Sequence, residues 1–313
     1  MKAHTLLLAA GLLAAAPIAA FAKIERVVEK SFTVQPGGLL EVETSGGDVR
    51  VVTGSEPTVK VVAKEVFRTS SESEADEIAK DLTLTIEQSP SGVVAKAKYE
   101  KHFTGFHWAS WPPVQVSFTV TVPATYNAKL KTSGGDIAVA DLAGTVHART
   151  SGGNIALGKI AGDIDAGTSG GDVRLTEGAA TVKLSTSGGN ITVDRAVGPA
   201  DLGTSGGDIR IGSVENTVHA STSGGNVFAG IAGLLKGDCS LHTSGGEVKV
   251  KVDRTAAFDL DASTSGGDVE AAGLTLTIER GGTGRSHLAG KVNGGGPLLK
   301  LRTSGGDIRL EPR

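Results

Sequence analysis

From Thr132 onward, apolar and polar residues alternate in short runs that restart at a fixed interval. In Asp136-Ile137-Ala138-Val139, Ile137 and Val139 fall on one side of an extended segment, because strand side chains alternate between faces. A turn at Ala143-Gly144 follows, and then Val146, Ala148 and Thr150 share a side. The same slots hold Ile155, Leu157, Ile164 and Ala166, then Val173, Leu175, Val182 and Leu184, then Ile209, Ile211, Val218 and Ala220. Two short strands per period, each with one apolar side, predict a coil of a β-solenoid. A Gly-Gly pair in every period and many β-branched residues disfavour helix.

The tetrapeptide Thr-Ser-Gly-Gly marks the period. It occurs ten times, opening at Thr44, Thr132, Thr150, Thr168, Thr186, Thr204, Thr222, Thr243, Thr264 and Thr303. Five successive intervals from Thr132 to Thr222 are 18 residues, the next two are 21 and the last is 39. A unit this small cannot bury its own core, so the repeats must stack. The predicted structural turn comprises Gly134, Gly135 and Asp136, Gly152, Gly153 and Asn154, Gly170, Gly171 and Asp172, and their equivalents. A sharp reversal with positive φ accounts for the glycines, and an Asx-type turn for the Asp or Asn after them. Near the C-terminus, Gly281-Gly282-Thr283-Gly284 and Asn293-Gly294-Gly295-Gly296 read as degenerate turns of atypical terminal repeats.

Residues 23–131 hold a single repeat, at Thr44. Thr58–Val66, Leu82–Ile86, Val93–Tyr99 and Val114–Val122 alternate as strands, with Ser89-Pro90-Ser91-Gly92 as a turn. Ser71-Glu72-Ser73-Glu74 resembles a capping box opening a short helix through Asp81. Solenoids must cover their open ends, so 23–131 is expected to be a β-rich cap continuous with the repeats of 132–313. An independent domain is the competing assignment.

The first 22 residues read as an address. Lys2 precedes the apolar run Leu6–Ala16, which is too short to span a bilayer, and Ala20-Phe21-Ala22 is a small-x-small cleavage site. The expectation is a signal peptide cleaved after Ala22, export to the periplasm or the exterior, and no membrane span in the mature chain. Thirty-one Lys and Arg against 34 Asp and Glu give a net charge of −3, unlike a nucleic-acid binder. The single cysteine excludes a disulfide scaffold and a Cys-based zinc site. Cys239 falls in an inward slot, where Val146, Ile164, Val182 and Val218 stand in other coils, and is expected to be a small apolar filler.

Two periodic columns bear polar chemistry. After Gly-Gly come Asp136, Asn154, Asp172, Asn190, Asp208, Asn226, Glu247 and Asp268. Equivalent residues lie ~4.8 Å apart, so alternating Asn halves the charge and lets each amide donate to its Asp neighbours. Calcium takes six to eight oxygens, and one acid every second coil provides few, so neither metal nor cofactor is expected. The second column, His147, Asp165, Lys183, Asp201, His219, Ser240 and Asp261, faces solvent with alternating sign, which suits cross-strand pairing rather than a catalytic row.

Aromatics make up 4% of the chain, yet both tryptophans lie within 102–113. His102, Phe103, Phe106, His107, Trp108 and Trp111 form a candidate binding loop, because large aromatics dominate contact energetics and stack on sugars or partner side chains. The competing assignment is a plug over the open end of the solenoid.

The repeated T-S-G-G-D/N, the entry Phe32-Thr33-Val34-Gln35-Pro36-Gly37-Gly38 and the closing Gly294-Gly295-Gly296-Pro297 through Arg309 resemble a family of exported bacterial proteins of unknown function grouped as candidate adhesins. The resemblance covers about residues 30–313. It implies an all-β, single-stranded parallel β-helix or β-solenoid, right-handed, with coils of ~18 residues, and it implies no catalytic residues. The expected function is a non-catalytic binding or structural protein of the cell envelope, monomeric, whose partner is a polysaccharide or a protein. Parallel β-helices also host polysaccharide lyases and hydrolases, so an enzyme of that class is one alternative. A periplasmic accessory of envelope-stress signalling is the other.

Overall fold

The computed structural model describes residues 23–100 and 113–313, with side chains given throughout except at 279–283. Among the described residues, twenty-seven strands form two long sheets, of 13 and 14 strands, and the only helix is Glu72–Lys80. The fold is a β-solenoid. Each coil runs up a strand of the 14-stranded sheet, turns at T-S-G-G, runs along a strand of the 13-stranded sheet, and turns back. Val146–Arg149, the turn at 150–153 and Ile155–Ile160 make one such coil. The next coil pairs with it in parallel and in register, Val146 beside Ile164 and Ile155 beside Val173.

Alternation decides which side chains meet between the sheets. Val146, Ile164, Val182, Ala200, Val218 and Cys239 stack in one buried column, and Ile155, Val173, Ile191, Ile209, Val227 and Val248 in the facing one. The middle of the core is thus aliphatic. Its largest buried rings, Phe67, Phe118, Tyr126 and Phe258, belong to the end regions. Cys239 fills its slot as expected, and burial pushes its thiol pKa up against a lowering backbone hydrogen bond at Val218.

The turns depart from expectation in two respects. No T-S-G-G glycine has positive φ; that conformation occurs at Gly37, Gly92, Gly233, Gly273, Gly294, Gly295 and Asn293. Close approach between coils is what excludes a side chain. A Cβ on Gly153 would lie 2.0 Å from the Gly135 carbonyl oxygen, and one on Gly171 would lie 2.1 Å from that of Gly153. The first glycine of each pair is less confined, with Gly170 meeting nothing nearer than 3.5 Å. The Asp and Asn side chains also bond between coils rather than closing their own turns. Asp136 Oδ1 accepts the Asn154 N–H (2.7 Å), Asn154 Oδ1 accepts the Asp172 N–H (2.9 Å), and Asp172 Oδ1 accepts the Asn190 N–H (2.7 Å). The Asn154 amide also donates to Asp136 Oδ1 (3.3 Å), the contact that alternation implied.

The repeat threonine has a role the pattern did not disclose. All ten are buried. The Thr168 hydroxyl donates to the Gly153 carbonyl of the neighbouring coil (2.8 Å) and accepts the Gly171 N–H of its own turn (3.4 Å). The close-packed glycine backbone is thereby satisfied without water, as a buried polar group must be.

Coils do not stack in chain order at the ends. At the C-terminal end, Leu298–Thr303 inserts between Cys239–His242 and Phe258–Thr264, and Ile308–Pro312 between Val248–Val252 and Val269–Ala271. The outward column therefore reads Ser240, Lys300, Asp261, with Lys300 intervening where Asp261 was expected next. The two degenerate glycine segments are not coil turns. The first belongs to an antiparallel hairpin of Leu276–Thr283 with His287–Val292, and the second is the positive-φ turn leading from it into Leu298–Thr303.

The N-terminal end is built alike. The outermost parallel coil is Gly92–Tyr99 with Val114–Pro123, beneath the coil of Leu39–Glu43 and Val49–Gly54. There the Val116 carbonyl receives the Thr44 hydroxyl (2.8 Å) and the Ser117 hydroxyl receives the Asp48 N–H (3.1 Å), so both ladders continue without a T-S-G-G turn. Antiparallel strands finish this end, Ile24–Thr33 and Thr58–Phe67 on one sheet and Leu82–Ser89 on the other. The helix begins at Ser71, whose hydroxyl accepts the Glu74 N–H, and is latched by Arg26 to Glu72 (3.1 Å) and Asp76 (2.6 Å).

Candidate functional site

Residues 102–112, the span carrying all six candidate loop residues, lie outside the described residues, as do 1–22. The flanks are described: Tyr99 ends a strand of the 14-stranded sheet, and Val114 opens one of the 13-stranded sheet. In chain order these flanking strands follow one another as the strands on either side of T-S-G-G do elsewhere.

Next to the end of the strand Gly92–Tyr99 is a cleft of about 460 Å³ walled by Thr83, Thr85, Lys96, Lys98, Lys131 and the turn serines Ser45 and Ser133. Alternation turns these hydroxyls and ammonium groups outward while Ala95 and Ala97 fill the core. Each lysine has a carboxylate partner: Lys96 with Glu41 (3.2 Å), Lys131 with Glu43 (2.9 Å) and Lys98 with Glu100 (3.1 Å). The hydrogen bond from Lys96, assisted by Lys129 and opposed by burial, holds the Glu41 carboxyl below its usual pKa. Paired charges and free hydroxyls on a shallow wall can donate to and accept from a hydroxyl-rich surface.

The His147 column lies on the outer face of the same sheet, farther along the stack. His147 Nδ1 is 3.3 Å from Asp165 Oδ2, and Asp165 also takes Arg149 at 2.6 Å. Burial raises the Asp165 pKa, but Arg149, His147 and Lys183 together outweigh it and hold the carboxyl below its usual value. His147, Asp165 and Lys183 line an open depression, a feature a flat sheet was not expected to have. Among the described residues no three His, Cys, Asp or Glu side chains are grouped to hold a metal ion. The turn residues Gly134, Gly135, Asp136, Gly152, Gly153, Asn154, Gly170, Gly171 and Asp172 all sit on the ridge joining the sheets, in the ladders described above.

The sequence profile of the Toastrack DUF4097 family matches residues 38–311, from the first solenoid strand to the last. The chain belongs to that family. No curated protein matches it. Solved structures similar to this Toastrack chain include a candidate adhesin from Bacteroides fragilis (12% identity, 92% of this chain and 97% of that one, TM-score 0.41). A candidate adhesin from Parabacteroides merdae is 10% identical over 91% of this chain and 96% of that one, with a TM-score of 0.44. A candidate lipid-binding protein from Parabacteroides distasonis is 10% identical over 91% and 96%, with a TM-score of 0.31. Among the described residues of the Toastrack chain, no helix is long and apolar enough to cross a membrane.

Proposed function

We propose that this protein is an exported, non-catalytic binding module of the cell envelope, adhesin-like, which engages a polysaccharide or a partner protein at the N-terminal end of its stack. The observation that carries this reading is the cleft of hydroxyls and paired lysines that includes Lys98, next to the end of the strand Gly92–Tyr99. Sugars present hydroxyl edges and apolar ring faces; a hydroxyl-lined wall complements the first and tryptophan rings the second. The aromatic loop His102, Phe103, Phe106, His107, Trp108 and Trp111 is the proposed contact, with 23–131 as a cap continuous with the repeats.

The test is capture of purified envelope polysaccharide by the chain from Lys23 to Arg313, beside a Trp108→Ala/Trp111→Ala version of equal melting temperature. Capture lost in the double variant supports the reading. Equal capture by both proteins moves the binding surface to the repeat faces. If neither captures material and the variant melts lower, the segment is a plug and the proposal fails.

A further inference from the structure

The Thr222 coil breaks the repeat in three ways at once. Its interval to the next turn is 21 residues rather than 18. Its strand Val227–Ile231 pairs with Ile209–Val214 through a register shift. It also places Phe228 in an outward column that elsewhere reads Arg50, Ala138, Ala156, Arg174, Thr192, Arg210, Lys249 and Arg309.

The register shift and Phe228 meet at one groove of about 570 Å³ on the outer face of the 13-stranded sheet, several coils from the N-terminal cleft, while the added residues of the interval fall in the loop 232–238 beyond it. Its floor is backbone. A Cβ on Gly230 would lie 2.3 Å from the Gly212 carbonyl, and one on Gly212 would lie 2.6 Å from the Asp194 carbonyl. Phe228 forms a wall, braced by the Arg210 guanidinium 5.3 Å from its ring centre. Lys249, Lys251 and Arg313 complete the lining.

The charges there are unequally committed. Arg210 is paired with Asp208 (2.7 Å), and Lys249 with Glu311 (2.8 Å). Lys251 and Arg313 form no direct ion pair with any described residue; Lys251 stands in register beside Glu311, whose direct partner is Lys249, and Arg313 is held in place by its N–H on the Val252 carbonyl (2.8 Å). The groove thus combines an aromatic wall, a backbone floor and two cations outside any direct ion pair, in a volume typical of small-ligand sites, ~300–1,000 Å³.

We propose that this groove binds an acidic sugar, with the pyranose ring against Phe228 and its carboxylate between Lys251 and Arg313. An aromatic face matches the apolar C–H face of a sugar ring, and the two cations match a carboxylate through charge-assisted hydrogen bonds. The ligand class is a uronic-acid-containing oligosaccharide.

The test is calorimetric titration of the chain from Lys23 to Arg313 with trigalacturonate, and with the neutral trigalactose and inorganic tripolyphosphate as comparators. Trigalacturonate is expected to bind and trigalactose not to. Lys251→Gln and Arg313→Gln should each weaken binding about tenfold, the worth of one charge-assisted contact. Phe228→Leu, which keeps an apolar side chain, should weaken it severalfold. Arg50→Gln, another unpaired cation on the same face, and Trp108→Ala/Trp111→Ala should leave it unchanged, separating this site from the N-terminal one. The proposal is overturned by no binding at millimolar ligand, by equal losses in Arg50→Gln and Lys251→Gln, or by tripolyphosphate binding as tightly with Phe228→Leu silent. Should Phe228→Leu melt lower, Lys251→Gln decides the matter.

Discussion

Two adjacent glycines in one turn carry different burdens, and substitution should separate them. Gly171→Ala drives a Cβ into the backbone of the coil below and should cost about 3 kcal/mol, as overpacking against rigid groups does. Gly170→Ala meets only ordinary contacts at negative φ and should be neutral or stabilise by about 0.4–1 kcal/mol. Denaturant melts of the two variants check this, and equal losses would return the turn to a positive-φ account. Thr186→Val strands the Gly171 carbonyl and the Gly189 N–H in a dry interior. The expected loss is about 2–3 kcal/mol, while Thr186→Ser, which keeps the hydroxyl, should lose about 1 kcal/mol or less. Glu65 is an inward carboxylate, 8% exposed, beside Arg26. Burial raises its pKa and the Arg26 charge only partly offsets this. A raised carboxyl binds its proton more tightly when folded, so its contribution to stability is largest below the unfolded-chain pKa and is lost as pH rises through the folded one. Glu65→Gln should therefore gain stability at neutral pH relative to the parent, and the gain should vanish on acidification; urea melts across that range would show it.

Elements were legible where periodicity dictates them. The alternation of Ile137 and Val139, the inward slot of Cys239 and the helix start at Ser71 each follow from a local rule, and each is present. What stayed hidden is interaction between coils. The column after Gly-Gly announced itself by alternating Asp and Asn, but its main bond, side-chain oxygen to the next coil's N–H, involves a backbone partner that leaves no mark on composition. Thr-Ser-Gly-Gly was conspicuous as punctuation, whereas the threonine's bridging of two turns depends on stacking distance. The 21-residue interval after Thr222 was visible as a number, whereas the register shift beside Phe228 appears only in the strand pairing. Candidate site residues fared differently again: the aromatic cluster stands out by composition alone, while Lys96, Lys98 and Lys131 belong to one cleft because strands distant in sequence pair in register. At this scale the cap residue Ser71 is testable. Ser71→Ala should destabilise the helix by about 0.5–2 kcal/mol, read as faster hydrogen exchange over 72–80 with little change in the repeats.

As a whole molecule the protein is a line of nearest neighbours, so damage should stay local. Deleting residues 298–313 removes the coil that separates two others, leaving Cys239–His242 and Val248–Val252 without partners on that side. Exchange protection should then collapse from about residue 239 onward and persist over 132–214; loss of protection along the whole chain would contradict a stack held by adjacent contacts.

The buried position of that last coil also bears on load. The first described strand, Ile24–Thr33, is an edge strand bonded along one side only, and the last, Ile308–Pro312, is bonded along both. Tension applied at Lys23 would peel the edge strand one hydrogen bond at a time. Tension applied at Arg313 must shear two ladders together, and forced unfolding is governed by the barrier rather than by the net stability. The two ends of the stack thus differ in resistance to load, and single-molecule pulling from opposite ends should yield at different forces.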